Sequence, residues 1–248
     1  MTFSKAELER YSRQILLYGI EGQKCFKSAR IVVIGAGGLG SSLLPLLAAA
    51  GIGTIEFFDG DKVEQSNLGR QMIYRESDIG EAKARVAADF LRGLNPHINI
   101  ISHERHFSAN DRTVLNDASA VCEGSDSLQT KFLLNDLALA AGIPAFIAAL
   151  GKDQGHTMLV NGRDSACYRC VFDELSGTEL PSCASEGIIS TFPAVVSSAV
   201  AHSAVMHLLT PVSAGTLWLF EKNHCRTIQI KKRQDCDRHQ NEEKTDSP

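Results

Sequence analysis

The chain has no excess of positive charge, no long apolar run and no apolar core in its first ten residues, and each shortage bears on a class of function. Its 25 Lys and Arg are outnumbered by 29 Asp and Glu, for a net charge of −4. A protein whose main partner is nucleic acid needs a basic surface, so no nucleic-acid partner is expected. The longest apolar stretch, Leu43 to Ala50, falls far short of the ~20 residues of a bilayer-spanning helix, so no membrane role is expected either. The first ten residues, M-T-F-S-K-A-E-L-E-R, hold no apolar core of signal-peptide length. Seven cysteines make an odd count, and without a secretion signal they are expected as thiols in a reducing cytoplasm. What remains is an ordinary composition, 44% hydrophobic and 22% charged, in a length that can bury a full core.

The most informative stretch runs from Arg30 to Gln71. Ile31 to Ile34 is a short β-branched run, the signature of a strand buried on both faces. Gly35, Gly37, Gly38 and Gly40 interrupt it, and an Ala/Leu-rich helical pattern with an internal Pro45 runs on to Ala50. A kink is expected at that proline. A second strand, Thr54 to Phe58, ends on Asp59. Glycines let the backbone turn tightly and approach a phosphate, and the helix N-terminus behind them offers unpaired N–H groups. An acid closing the second strand can accept ribose hydroxyls. Together these features predict a nucleotide at the head of the helix.

Elsewhere the pattern alternates. Helices are expected at Glu7–Gly19, Ser77–Leu94, Asp111–Ala118 and Thr130–Ala141, and strands at Ile98–Ile101, Ala118–Cys122, Ala145–Ala149 and Gly155–Val160. Up to residue 149 this is the order of a parallel sheet with right-handed crossovers. The polar loop D-G-D-K-V-E-Q-S-N-L-G-R-Q (59–71) and Asp126 both follow strand ends, on the ligand side of such a sheet. Beyond Asn161 the chain changes character. A Ser/Gly/Glu/Pro stretch from Asp173 to Glu186 reads as a mobile loop carrying Cys183. Thr191–Leu209 reads as a buried helix, Thr216–Phe220 with Thr227–Ile230 as a hairpin, and Gln240–Pro248 as disordered. Cys167 and Cys170 (C-x-x-C), with Cys236 and His239 (C-x-x-H), have the residue types and spacing of a structural, tetrahedral Zn²⁺ site. His224 and Cys225 are other candidates for the fourth ligand.

With those residues in view, the chain resembles the ubiquitin-activating-enzyme-like adenylyltransferases, the ThiF, MoeB and HesA group. The motifs that carry the likeness, in order, are Y-S-R-Q, G-A-G-G-L-G, D-x-D, S-N-L-G-R-Q, G-E-A-K, S-D, N-P, C-Y-R-C and Cys183, spanning Tyr11 to His239. The resemblance implies an α/β fold, a Rossmann-like mostly parallel sheet with a C-terminal antiparallel, zinc-bound extension. It implies one domain over 1–248, with a nucleotide-binding core (1–160), a zinc and carrier-binding extension (161–239) and a disordered tail (240–248). The implied activity is ATP-dependent adenylylation of the C-terminal glycine of a ubiquitin-like sulfur carrier ending in Gly-Gly.

By position, the resemblance implies that Asp59 holds the ATP ribose and that Asn67, Arg70 and Lys83 surround the triphosphate, with Gln71 supporting that loop. Asp126 would bind Mg²⁺, and Arg13 would reach the phosphates of the neighbouring subunit of a homodimer. Cys183 would be the thiol that takes part after adenylylation, through an acyl disulfide made with a sulfur-donor persulfide. Against it, Glu179 and Glu186 nearby discourage thiolate formation. The chain departs from the family pattern at Glu123-Gly124-Ser125 (often Asp-Cys-Thr), at Ser127 (usually Asn), at Lys131 (usually Arg) and at His239 (Cys). A dinucleotide oxidoreductase would explain the glycine turn and Asp59 but not Lys83 or the S-N-L-G-R-Q loop. A non-catalytic carrier-binding homologue would have no need of Arg13, Arg70, Lys83 and Asp126 together. Thiamin thiazole synthesis and molybdopterin synthesis both use such activators, and the run around Ile73 to Gly80 leans to the thiamin side.

Overall fold

The computed structural model describes residues 2–151, 154–162, 164–172, 187–221 and 224–240; Cys183 and 241–248 therefore lie outside the described residues. Among the described residues one eight-stranded sheet runs in the order β3-β2-β1-β4-β5-β6-β7-β8. Its strands are β1 Arg30–Ile34, β2 Thr54–Phe58, β3 Asn99–His103, β4 Ala120–Glu123, β5 Ala145–Leu150, β6 Gln154–Val160, β7 Thr216–Glu221 and β8 His224–Gln229. The first five are parallel and the last three add on antiparallel. The α-helices among the described residues are α1 Lys5–Arg10, α2 Ser12–Ser28, α3 Gly40–Ala50, α4 Lys83–Leu94, α5 Leu128–Ala141, α6 Thr191–Leu209 and α7 Asp237–Gln240.

Because side chains alternate along a strand, each parallel strand feeds two cores. Ile31, Val33, Ile55 and Phe57 meet α3, α4 and α6 on one face. Val32, Ile34, Val121 and Ile147 meet Phe132 and Ala138 of α5 on the other. By length and composition α6 could cross a membrane. In the fold, its Phe192, Val196, Val200 and Ala204 belong to the first core instead, and Ser197 Oγ donates to Leu39 O at 2.8 Å.

Three sequence expectations need correction. The helix expected over Glu7–Gly19 is two helices. A reciprocal cap between Ser4 and Glu7 starts α1, Tyr11 separates it from α2, and Gly19 (φ 71°) bends α2, which then continues to Ser28. The helix expected from Ser77 starts only at Lys83. Gly80 (φ 89°) breaks it, and the segment before Lys83 pairs with the loop after β2 instead, Val63 N to Glu81 O at 2.9 Å and Gly80 N to Val63 O at 2.9 Å. The Asp111 segment is a 3-10 turn, Ala109–Leu115. Pro45 sits within α3, which runs through it unbroken.

Candidate functional site

The strand order locates the crevice. β1 pairs with β2 on one side and β4 on the other, so the winding reverses between β1 and β4. The loops leaving these two strands lead to α3 and α5 on opposite faces, and open α/β sheets bind their ligands where such loops part. The loop after β1 is the glycine turn, and the loop after β4 carries Asp126.

The glycines do different jobs. Gly35 has φ 92°, and a β-carbon there would lie 3.0 Å from Ser125 N and 3.1 Å from its Cα, so the two loops touch backbone to backbone. A β-carbon at Gly40 would lie 2.0 Å from Gly35 O. At Gly38 it would meet nothing within 4 Å, and at Gly37 only Gln71 Nε2 at 3.8 Å. The surface over Gly37 and Gly38 is thus open backbone ahead of a helix, the setting in which N–H groups receive phosphate.

Asp59 is buried beneath this turn. Its Oδ2 accepts from Ala36 N at 2.7 Å and its Oδ1 from Asp61 N at 2.9 Å. Burial raises its carboxyl above the ordinary range, opposed by those two N–H bonds and by the Lys83 charge. A carboxylate offers about four lone-pair positions, so two remain for hydroxyl donors. Lys83, the first residue of α4, is buried, and its ammonium meets Asp61 at 3.0 Å, while its backbone N donates to Asp61 O at 2.9 Å. The late start of α4 is what brings this cation to the crevice. Tyr74, which the sequence did not single out, ties the parts together, its hydroxyl donating to Ala36 O at 2.8 Å.

The loop after β2 supplies the rest. Asn67 is buried, its Oδ1 accepting from Glu64 N at 3.1 Å. Arg70 holds Ser66 O at 2.8 Å. Gln71 is buried beside Gly37, and its Oε1 has no hydrogen-bond partner among the described residues. Asp126 is exposed at its turn. Arg13 is exposed on α2, and among the described residues no hydrogen bond or ion pair joins it to the crevice residues of its own chain.

Glu123 and Lys131, two of the departures noted above, are bonded to each other. Both are buried, and the ammonium also donates to Ser125 O and Ala148 O, each at 2.6 Å.

A second cluster lies against the middle of α5, beside Asn135 and Asp136. The ligand atoms of Cys167, Cys170, Cys236 and His239 all fall within 4.8 Å of one another. Cys167 Sγ is 3.8 Å from Cys170 Sγ and 3.7 Å from Cys236 Sγ, and Cys170 Sγ is 3.4 Å from His239 Nε2. The sulfur spacing matches the ~3.8 Å edge of a tetrahedron with Zn–S bonds of ~2.3 Å. Burial, with the Cys170 and Cys236 sulfurs alongside, pushes the Cys167 thiol well up; a group so placed ionises when a cation sits beside it. The residues therefore fit Zn²⁺, which would act as a structural clip because four protein ligands leave no open position. His224 and Cys225 lie instead on the exposed strand β8. The cluster is fastened to α5. Tyr168 N donates to Asn135 Oδ1 at 2.8 Å, and Asp136 binds both Arg169 (2.8 Å) and Arg238 (2.7 Å). Tyr168 OH meets His156 Nε2 at 3.0 Å. Burial, then the Lys131 charge, lowers His156 to about 3, so this imidazole is neutral.

A family model described as the ThiF family matches residues 11–240. The chain belongs to the ThiF family. Among ThiF-family relatives, it is 39% identical over 218 residues to the sulfur carrier protein adenylyltransferase of Thermus thermophilus, covering 84% of this chain and 80% of that protein. It is 40% identical over 215 residues to the SAMP-activating enzyme E1 of Haloferax volcanii, covering 84% and 78%. Against the adenylyltransferase and sulfurtransferase MOCS3 of Mus musculus the identity is 34% over 242 residues, which is 94% of this chain and 53% of that protein. A crystal structure of E. coli MccB with ATP superposes with a TM-score of 0.80 at 22% identity, over 95% of this chain and 75% of that one; at that identity the likeness speaks for the fold.

Proposed function

We propose that this ThiF-family protein adenylylates the C-terminal glycine of a ubiquitin-like sulfur carrier ending in Gly-Gly, using ATP and Mg²⁺. The observation that carries this reading is the buried Lys83 ammonium joined through Asp61 and Asp59 to an open glycine turn. A triphosphate calls for such a cation, whereas a dinucleotide pyrophosphate is served by the turn alone. The names of the Thermus and Haloferax relatives support the choice of acceptor.

In this reading a carboxylate oxygen of the carrier attacks the α-phosphorus. A new O–P bond forms, the bond to the β-phosphate oxygen breaks, and pyrophosphate leaves with the electron pair. Lys83, Arg70 and Asn67 surround the phosphates and offset the repulsion between carboxylate and triphosphate. Asp59 holds the ribose with its two remaining acceptor positions, and Gln71 supports the loop beneath Gly37. Asp126 would hold Mg²⁺, which supplies charge neutralisation at the phosphoryl oxygens when bound. Cys183 is assigned the later step: the terminal sulfur of a donor persulfide displaces AMP from the acyl adenylate, and the Cys183 thiolate then attacks that sulfur, forming the acyl disulfide and releasing the donor as a thiol. The pathway assigned is the thiazole branch of thiamin synthesis, with the molybdopterin-synthase carrier as the alternative.

The test is exchange of labelled pyrophosphate into ATP. Exchange should appear only when a carrier ending in Gly-Gly is present. Stable NAD binding with no exchange on any such carrier would sink the reading in favour of an oxidoreductase.

The same reading makes the enzyme a homodimer in which Arg13 serves the partner's phosphates. Arg13→Ala and Asp126→Ala should each be inactive alone and recover up to about a quarter of wild-type exchange when mixed, a statistical share that follows from random pairing of two subunits. No recovery after proven subunit exchange would return Arg13 to its own subunit's site.

A further inference from the structure

Both ends of the Asp126 turn are fixed by one buried ion pair. Glu123 ends β4 fully buried, and Lys131 lies one turn into α5, 2% exposed. The bonds are complete. An ammonium has three donors, and Lys131 directs them to Glu123 Oε2, Ser125 O and Ala148 O. Glu123 Oε1 accepts both the N–H (2.9 Å) and the hydroxyl of Ser125. Ser127 closes the far side by capping α5, accepting from Thr130 N at 3.2 Å. Ser125 is thus held at its N–H, its hydroxyl and its carbonyl, and its backbone also lies against Gly35. Asp126, the next residue, is exposed. Burial pushes the Glu123 carboxyl up, and the Lys131 charge and the Ser125 bonds oppose that.

A buried pair is a poor source of net stability, because desolvating both ions costs about what their attraction returns. Its value here is geometric. We infer that Glu123 and Lys131 are positioning residues that aim the Asp126 carboxylate at the metal of the nucleotide complex, beside the glycine turn. The inference rests on the adenylylation reading, which makes Asp126 a metal ligand.

The experiment is a titration of Mn²⁺ into protein with ATP and no carrier, followed by electron paramagnetic resonance and paired with thermal unfolding. Asp126→Ala should weaken Mn²⁺ binding in the complex at least tenfold with no change in Tm. Lys131→Met should weaken it at least tenfold as well, but it leaves the buried Glu123 carboxyl without its counter-ion, so its Tm should fall. The double variant Glu123→Gln/Lys131→Met contains no buried charge. It should regain most of the lost Tm and still bind Mn²⁺ at least tenfold more weakly, because Ser125 O and Ala148 O have lost their donor. Wild-type Mn²⁺ affinity in the folded double variant, with Asp126→Ala weakened, would overturn the inference and leave the adenylylation reading standing. Undiminished affinity in Asp126→Ala would overturn the metal role of Asp126, and the inference with it.

Discussion

Asp126→Ala should lower carrier-dependent ATP–pyrophosphate exchange by at least ~10²–10³-fold, the usual loss when one stabiliser of transition-state charge is removed. The expectation has two parts. Asp126 is the exposed acid at the point where the winding of the sheet reverses, and its turn lies against Gly35. A carboxylate there would hold a divalent cation, which would offset charge on the phosphates, and each tenfold in rate corresponds to ~1.4 kcal/mol of barrier. The fold, in contrast, does not depend on it. The turn is held by Glu123, Ser125, Ser127 and Lys131. Circular dichroism and Tm should therefore match wild type while exchange disappears. Wild-type exchange in the variant would remove Asp126 from the chemistry.

The second large effect concerns the cysteine cluster. Protein purified without chelators should contain about one Zn²⁺ per chain, held by Cys167, Cys170, Cys236 and His239. Structural zinc supplies ~10 kcal/mol of apparent binding free energy, comparable to the whole stability of a domain. Chelation, or Cys170→Ser, should thus release the tail. Hydrogen exchange should rise first around residues 166–171 and 230–239, while β1, β2 and α3, in a separate core, stay protected. His239→Cys should retain the metal, since thiolate and imidazole both suit tetrahedral zinc. Metal analysis of the wild type that finds none would refute the assignment.

Much of this architecture was legible in the sequence, for definite reasons. β1 is buried on both faces and so reads as a continuous apolar run, Ile31 to Ile34. The glycine turn reads through Gly35, which needs positive φ, and Gly40, whose β-carbon would collide with Gly35 O. The metal cluster was legible because its ligands come in pairs three residues apart. The start of α4 was not. It depends on residues 79–82 pairing with the loop after β2, a contact between segments that carries no local signal, and Asp78 and Glu81, read as acids near a helix start, carried the expected helix back to Ser77. The Glu123–Lys131 pair was visible only as two departures from a family pattern. A lysine within a helix ordinarily reads as a solvated charge, and only the fold shows where its three donors go. Tyr74 is likewise a single aromatic in a loop, after Met72 and Ile73, without periodicity to mark which side it faces.

The metal ligands also impose an order of events on synthesis. Cys167 and Cys236 are separated by 69 residues, as are Cys170 and His239. A ribosome adding ~5–20 residues per second needs roughly 3–14 s to cover that distance. Through that interval the first two thiols are joined to the growing chain with half their ligand set still unmade. Oxidant or a competing soft metal meets them most easily then, before β7 and β8 have formed and the tail has folded back. The vulnerable species is the nascent chain, and damage at these cysteines should follow the rate of translation under oxidative stress rather than the amount of mature enzyme.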